Sequence, residues 1–168
     1  MNTPGHFASF SRRTVMLAAP ATLGLVGLQG CNMAPKVYTM NVSRDDGCMC
    51  CSSWAEVMEK TGRFKVSLVD VGDALAYKNK MGVPTGLGAC HTAVVEGFVI
   101  EGHVPADDIL KLVEQKPGRV VGLSVPGMPR GSAGMEQPNG VKDAFTVIAW
   151  ETGGAQSEFA TYPGNQAT

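Results

Sequence analysis

Three of the chain's five cysteines fall within four positions, as Cys48-x-Cys50-Cys51. Strand-like Val37 to Val42 and a turn signal, Asp45-Asp46-Gly47, precede them. Ser52, Ser53, Trp54, Ala55 and Glu56 follow and open a helix. The cysteines therefore stand at a helix N-terminus, whose partial positive charge favours thiolate over thiol. Two chemistries follow: disulfide exchange, for which Cys48 and Cys51 suffice, and soft-metal binding. Cys50 separates them. A redox pair needs two sulfurs and a third invites wrong disulfides, whereas three thiolates in one loop suit a metal that takes several.

A second group lies some forty residues on. Cys90 and His91 directly precede the strand-like Thr92 to Val95, and His103 sits near the end of the next strand segment. Apart from His6 these are the only histidines of the chain. Each is a candidate ligand, and each also reads as a hydrogen-bonded structural residue. Gly102-His103-Val104-Pro105 in particular has the look of a corner before a helix. Met128 and Met135 flank a Gly/Pro loop, as accessory thioethers or as gap fillers.

The elements that must position these residues are legible from periodicity and punctuation. Val37 to Val42 reads as a strand. The helix after the cysteines carries a capping-box spacing, Ser53 and Glu56, and an apolar face of Trp54, Val57 and Met58, closed by Gly62. Phe64 to Val71 alternates and then turns fully apolar, which predicts a buried strand. Asp73 caps a second helix through Met81. Thr92 to Val95 and Phe98 to Val104 form a hairpin about Glu96-Gly97. Pro105 suits the first position of a helix with the stripe Ile109, Leu112 and Val113. Asp45, Asp46, Asp107 and Asp108 read as turn and helix-start acids rather than a catalytic pair.

The order β-α-β-α-β-β-α is that of a thioredoxin-like α/β fold. In that fold the loop before the third strand faces the C-x-x-C, so Cys90 and His91 can converge on the first three sulfurs. Residues 117–140 hold six glycines and four prolines in 24 positions. They include a short strand, Val120 to Val125, and a long loop. Phe145 to Trp150 and Ser157 to Tyr162 predict a closing hairpin.

Residues 1–30 read as an export signal: Arg12-Arg13, an uncharged apolar run of about 14 residues, then a small-residue junction. The run is short of the roughly 20 apolar residues of a spanning helix. The paired arginines resemble a twin-arginine signal, with Val15 where that motif prefers an aromatic. Leu28-Gln29-Gly30-Cys31 resembles a lipobox, which makes Cys31 the expected lipidated first residue of a periplasmic lipoprotein. The alternatives are an ordinary cleaved signal with Cys31 incidental, or an uncleaved anchor. Residues 31–36 then form a tether, 37–162 one domain and 163–168 a tail. Loss of residues 1–30 removes two arginines and no acid, leaving 12 basic against 15 acidic residues. That balance excludes a basic nucleic-acid surface. No Ser-His-Asp arrangement and no phosphate loop is present.

The motifs combine into a pattern more specific than any lone C-x-x-C. Cys48-x-Cys50-Cys51, Gly82-Val83-Pro84, Cys90-His91-Thr92-Ala93, the run Val99 to Ile109 containing Glu101-Gly102-His103-Val104-Pro105, and Val120 to Pro129 together resemble the CopG-like family of exported copper-resistance proteins. The resemblance covers about residues 36–162 and implies a thioredoxin-like fold and copper handling in the periplasm. It implies metal ligation by Cys48, Cys50, Cys51, Cys90 and His91. Met49 departs from the glycine that relatives commonly carry, and its thioether is itself a soft copper ligand.

Ligand chemistry points the same way. Thiolates and thioethers select Cu(I), zinc or iron–sulfur clusters. Zinc prefers four ligands in separated pairs, while crowded cysteines can bridge several Cu(I) ions. The expected cargo is one or more Cu(I), held by Cys48, Cys50, Cys51, Cys90 and His91 with His103. Other periplasmic copper-handling proteins are the expected partners. A thiol-disulfide or copper-linked oxidoreductase using Cys48 and Cys51 is the alternative. The bland reading is two structural disulfides, Cys48–Cys51 and Cys50–Cys90.

Overall fold

A computed structural model describes Met1 and residues 34–165. Residues 2–33, which hold nearly all of the expected export signal, Cys31 and the start of the expected tether, and residues 166–168 of the tail lie outside the described residues. The rest is a mixed α/β domain. Its elements are β1 (Tyr38–Arg44), α1 (Met49–Lys60), β2 (Phe64–Asp70), α2 (Ala74–Lys80), β3 (His91–Val95), β4 (Phe98–Gly102), α3 (Ala106–Gln115), β5 (Val120–Val125), β6 (Phe145–Glu151) and β7 (Gln156–Tyr162). Among the described residues no helix is long and apolar enough to cross a membrane.

All seven strands join one sheet in the order β2-β1-β3-β4-β5-β6-β7. β1 pairs parallel with β2 and antiparallel with β3, β3 antiparallel with β4, and β4 parallel with β5. The parallel pairs need crossovers, which α1 and α3 supply. The closing hairpin β6–β7 extends the sheet antiparallel from β5. The main core is built from Met40 and Val42 of β1, Trp54 and Met58 of α1, Ala93 of β3, Ile100 of β4, Ile109 and Leu112 of α3 and Leu123 of β5.

Several sequence expectations meet local detail. Asp73 caps α2, its carboxylate accepting from Ala76 N–H at 2.8 Å. Gly62 follows α1 with φ +68°, and Ile109, Leu112 and Val113 are buried on α3. The capping box does not form. The turn through Gly47 (φ +70°) closes early, with Cys48 N–H bonded to Asp45 O at 3.3 Å, and α1 starts at Met49. Ser53 Oγ therefore lies inside the helix and donates to Met49 O at 3.3 Å.

β2 is not buried. It is an edge strand with one neighbour, and Leu68 and Val69 are exposed. β4 stops at Gly102, whose φ of +71° turns the chain out of the sheet two residues before the expected end at Val104. Pro105 stands just outside α3 as its extended N-cap. Asp108 is in the first turn of α3 as expected, but it is buried and accepts the Tyr162 hydroxyl at 2.7 Å.

Candidate metal centre

The topology brings four strand ends together at one end of the sheet. Arg44, the last residue of β1, pairs with His91, the first of β3. Thr92 faces Glu101 near the end of β4, and Gly102 faces Val125, the end of β5. The Cys48 loop, the Cys90 loop, the His103 corner and the Met128 loop therefore leave the sheet side by side.

Early initiation of α1 decides how the first sulfurs point. Cys48 is the N-cap, and Cys50 and Cys51 lie in the first turn. Arg44 holds this turn from below, its guanidinium donating to Cys48 O at 2.9 Å and to Ser52 Oγ, and pairing with Asp70 at 2.8 Å. Cys48 and Cys51 are joined in a disulfide, with Cα atoms 5.4 Å apart, while Cys50 and Cys90 are free thiols. Of the two bridges that the structural-disulfide alternative would make, one is thus formed. The other is not, although the two thiol sulfurs lie only 3.6 Å apart.

Cys50 is the hub of the sulfur group. Its Sγ lies 3.5 Å from Cys48 Sγ and 3.9 Å from Met128 Sδ as well. Cys90 is the hub of a second group. Its Sγ lies 3.3 Å from His91 Nδ1 and 3.1 Å from His103 Nε2. Cys48, Cys50, Cys51 and Cys90 offer ligand atoms all within 4.8 Å of one another, and so do Cys90, His91 and His103. All six expected ligands are thus assembled, in two sets that share Cys90.

Second contacts orient the imidazoles. His103 Nδ1 donates to Ala133 O at 2.8 Å, which leaves the Nε2 lone pair facing Cys90. His91 packs on Trp54 with ring centroids 4.5 Å apart, and Trp54 Nε1 donates to Val104 O at 2.9 Å. His91 Nε2 is buried without a hydrogen-bond partner. Burial disfavours the charged form of both rings: His91 falls to about 3, with His103 nearby adding to the effect, and His103 is lowered for the same first reason. Burial, with the adjacent Cys50 second, pushes the Cys90 thiol up to about 12.

The remaining sequence candidates separate. Met128 is in contact with Cys50 yet 54% exposed, and Met49 is 83% exposed beside the cysteines. Met135 turns back on its own loop, exchanging backbone hydrogen bonds with Gly131 and Ser132. Sequence reasoning passed over Glu101, which is fully buried under the Cys90 loop. An acid among the apolar residues of Phe98 to Gly102 was the available signal.

Fold and site together define an α/β domain in which one end of the sheet gathers cysteine, histidine and methionine donors suited to a soft metal. Two solved structures of a copper resistance protein CopG resemble it over nearly all of that domain. Form 1 is 43% identical, covering 78% of this chain and 100% of that one with a TM-score of 0.70. Form 2 is 42% identical, covering 76% and 100% with a TM-score of 0.71. This chain belongs to the CopG family of copper-resistance proteins. Residues 87–135, which carry Cys90, His91, His103 and Met128, also match the family described as Protein of unknown function, DUF411. A comparison with curated protein sequences found no match.

Proposed function

We propose that this chain is a periplasmic copper-binding protein of copper resistance, holding one or more Cu(I) through Cys48, Cys50, Cys51, Cys90 and His91, with His103. The observation that carries the reading is the pair of donor sets meeting at Cys90, each with its ligand atoms within 4.8 Å. The approach of two imidazole nitrogens to one sulfur supports it: His91 Nδ1 and His103 Nε2 lie 3.3 and 3.1 Å from Cys90 Sγ. In the oxidised form two thiols and two imidazoles stand ready, and reduction of Cys48–Cys51 adds two sulfurs. The thioredoxin-like reading is supported by the order β2-β1-β3-β4, with β1 and β2 parallel and α1 between them. Anaerobic Cu(I) titration of the reduced protein against a chromogenic chelator tests the site. Replacing Cys48, Cys51 and Cys90 together by Ser abolishes tight binding on this reading, and undiminished affinity places the copper elsewhere.

A second reading is favoured by the disulfide itself. Cys48 and Cys51 as dithiol reduce two Cu(II) to two Cu(I), releasing two protons as their S–S bond forms. Cys50 discriminates: Cu(I) binding needs it, whereas the two-cysteine cycle does not. Export and anchoring are proposed from residues 1–31 alone, with the paired arginines as the signal and Cys31 as the lipidated residue. Mass measurement of the protein recovered from cell envelopes tests this, and a Cys31→Ser chain that stays membrane-bound to the same extent refutes the anchor.

A further inference from the structure

The Cys90 loop is held from beneath by a buried charge. Glu101, near the end of β4, is fully buried, and its carboxylate meets three donors. Oε1 accepts from Ala89 N–H at 2.6 Å and from Lys78 Nζ at 2.9 Å, and Oε2 accepts from Thr92 Oγ1 at 2.6 Å. Lys78 reaches in from α2 and also donates to Thr92 Oγ1, at 3.3 Å. Ala89 and Thr92 bracket Cys90 and His91, so one carboxylate grips the segment on both sides of the two donors.

The next residue completes the seat. A Cβ on Gly102 would lie 2.5 Å from Ala89 Cβ and 2.7 Å from Val125 O. The loop therefore rests directly on the Gly102 backbone, and the residue after that is His103. A buried carboxylate is expensive unless paired and fully hydrogen-bonded. Here it is both, and a plain core position would have been filled more cheaply by an apolar side chain.

We propose that Glu101 is a positioning residue that fixes Cys90 against Cys50 and His103, with Lys78 as its counter-ion. It touches no copper. It acts by denying the loop the freedom to carry the Cys90 sulfur away. The consequence for copper affinity rests on the copper-binding reading; the consequence for the thiols does not.

The test measures how fast a bifunctional bimane bridges Cys50 to Cys90 in the metal-free protein with Cys48–Cys51 oxidised, the bridge being mapped by peptide mass. Glu101→Ala/Lys78→Met removes the grip and both charges together, so no unpaired charge confuses the result. Bridging is expected to slow about tenfold or more, and Cu(I) affinity to fall about 10–100-fold, the usual effect of losing a group that orients a ligand. Glu101→Gln/Lys78→Met restores an acceptor for Ala89 N–H and recovers most of the bridging rate. Leu112→Ala, a core change on α3, lowers stability and leaves bridging at the wild-type rate. Should the Ala/Met pair fail to fold, Thr92→Val removes one of the three donors and slows bridging in the same direction. Wild-type bridging in the folded Ala/Met variant, or in Thr92→Val, overturns the proposal, as does equal slowing by Leu112→Ala. A wild-type protein that bridges as expected but takes up no copper refutes the copper reading alone.

Discussion

Gly134 sits where the loop between β5 and β6 touches the start of α1, and replacing it by alanine separates contact from conformation. Its φ is +77°, and an added Cβ would lie 2.5 Å from Trp54 N, 2.7 Å from Trp54 Cα and 2.9 Å from Ser53 C. These are backbone atoms of a helix and cannot yield. Left-handed conformation alone costs a non-glycine residue roughly 1–2 kcal/mol. Forcing a methyl into a filled space adds roughly 1–3 kcal/mol. The loop can escape only by lifting, which withdraws Ala133 O from His103 and leaves a buried donor unpaired, at about 1–3 kcal/mol. Either route puts Gly134→Ala at roughly 2–5 kcal/mol, a large part of the 5–15 kcal/mol typical of a domain. Gly140 is the control, with φ +72° and nothing within 4 Å of an added Cβ. Gly140→Ala meets only the conformational cost, about 1–2 kcal/mol. Urea unfolding of both metal-free proteins, followed by tryptophan fluorescence, measures the difference. Losses equal within about 0.5 kcal/mol would mean that the loop does not rest on α1, and the orientation of His103 by Ala133 would go with it.

Other outcomes follow from the same structure. Trp54→Phe keeps a ring over His91 but deprives Val104 O of its donor, and is expected to cost about 1–3 kcal/mol in urea unfolding. Leu112→Ala leaves a cavity in the main core and costs about 2–5 kcal/mol, with Cu(I) affinity in a chelator competition unchanged. Burial raises Asp108 above its ordinary value, although Tyr162 opposes the shift. The folded state therefore holds this proton to higher pH than the unfolded chain does. Asp108's contribution is most favourable below the ordinary carboxylate range and is lost as pH rises through the raised value. The stability of the wild type relative to Asp108→Asn, measured in urea across acidic pH, should fall with rising pH and then level off. A flat difference contradicts the burial argument.

Much of this protein was legible along the chain because its signals act over a few residues. Asp73 reaches Ala76 three positions on, and the stripe of Ile109, Leu112 and Val113 needs only helical periodicity. The cysteines before α1, the hairpin about Glu96-Gly97 and all six candidate ligands are visible in the same way. Failures came where distant partners decide. The apolar run in β2 reads as buried, but strand order places it at an edge with one neighbour. Ser53 and Glu56 have capping-box spacing, yet the turn at Gly47 and the grip of Arg44 start the helix at Met49.

The site itself divides along the same line. Residue types and spacing determined which donors the chain owns and that they suit a soft metal. Only the tertiary structure decided that four strand ends meet at one end of the sheet, that Cys90 is shared by both donor sets, and that Met128 reaches Cys50. It alone shows Glu101 gripping the Cys90 loop through Ala89 and Thr92, with Lys78 from another helix balancing its charge. The physical reason is range. Helical periods, caps and tight turns are settled between near neighbours, whereas strand order, loop seating and burial of a charge depend on contacts that cross the whole domain.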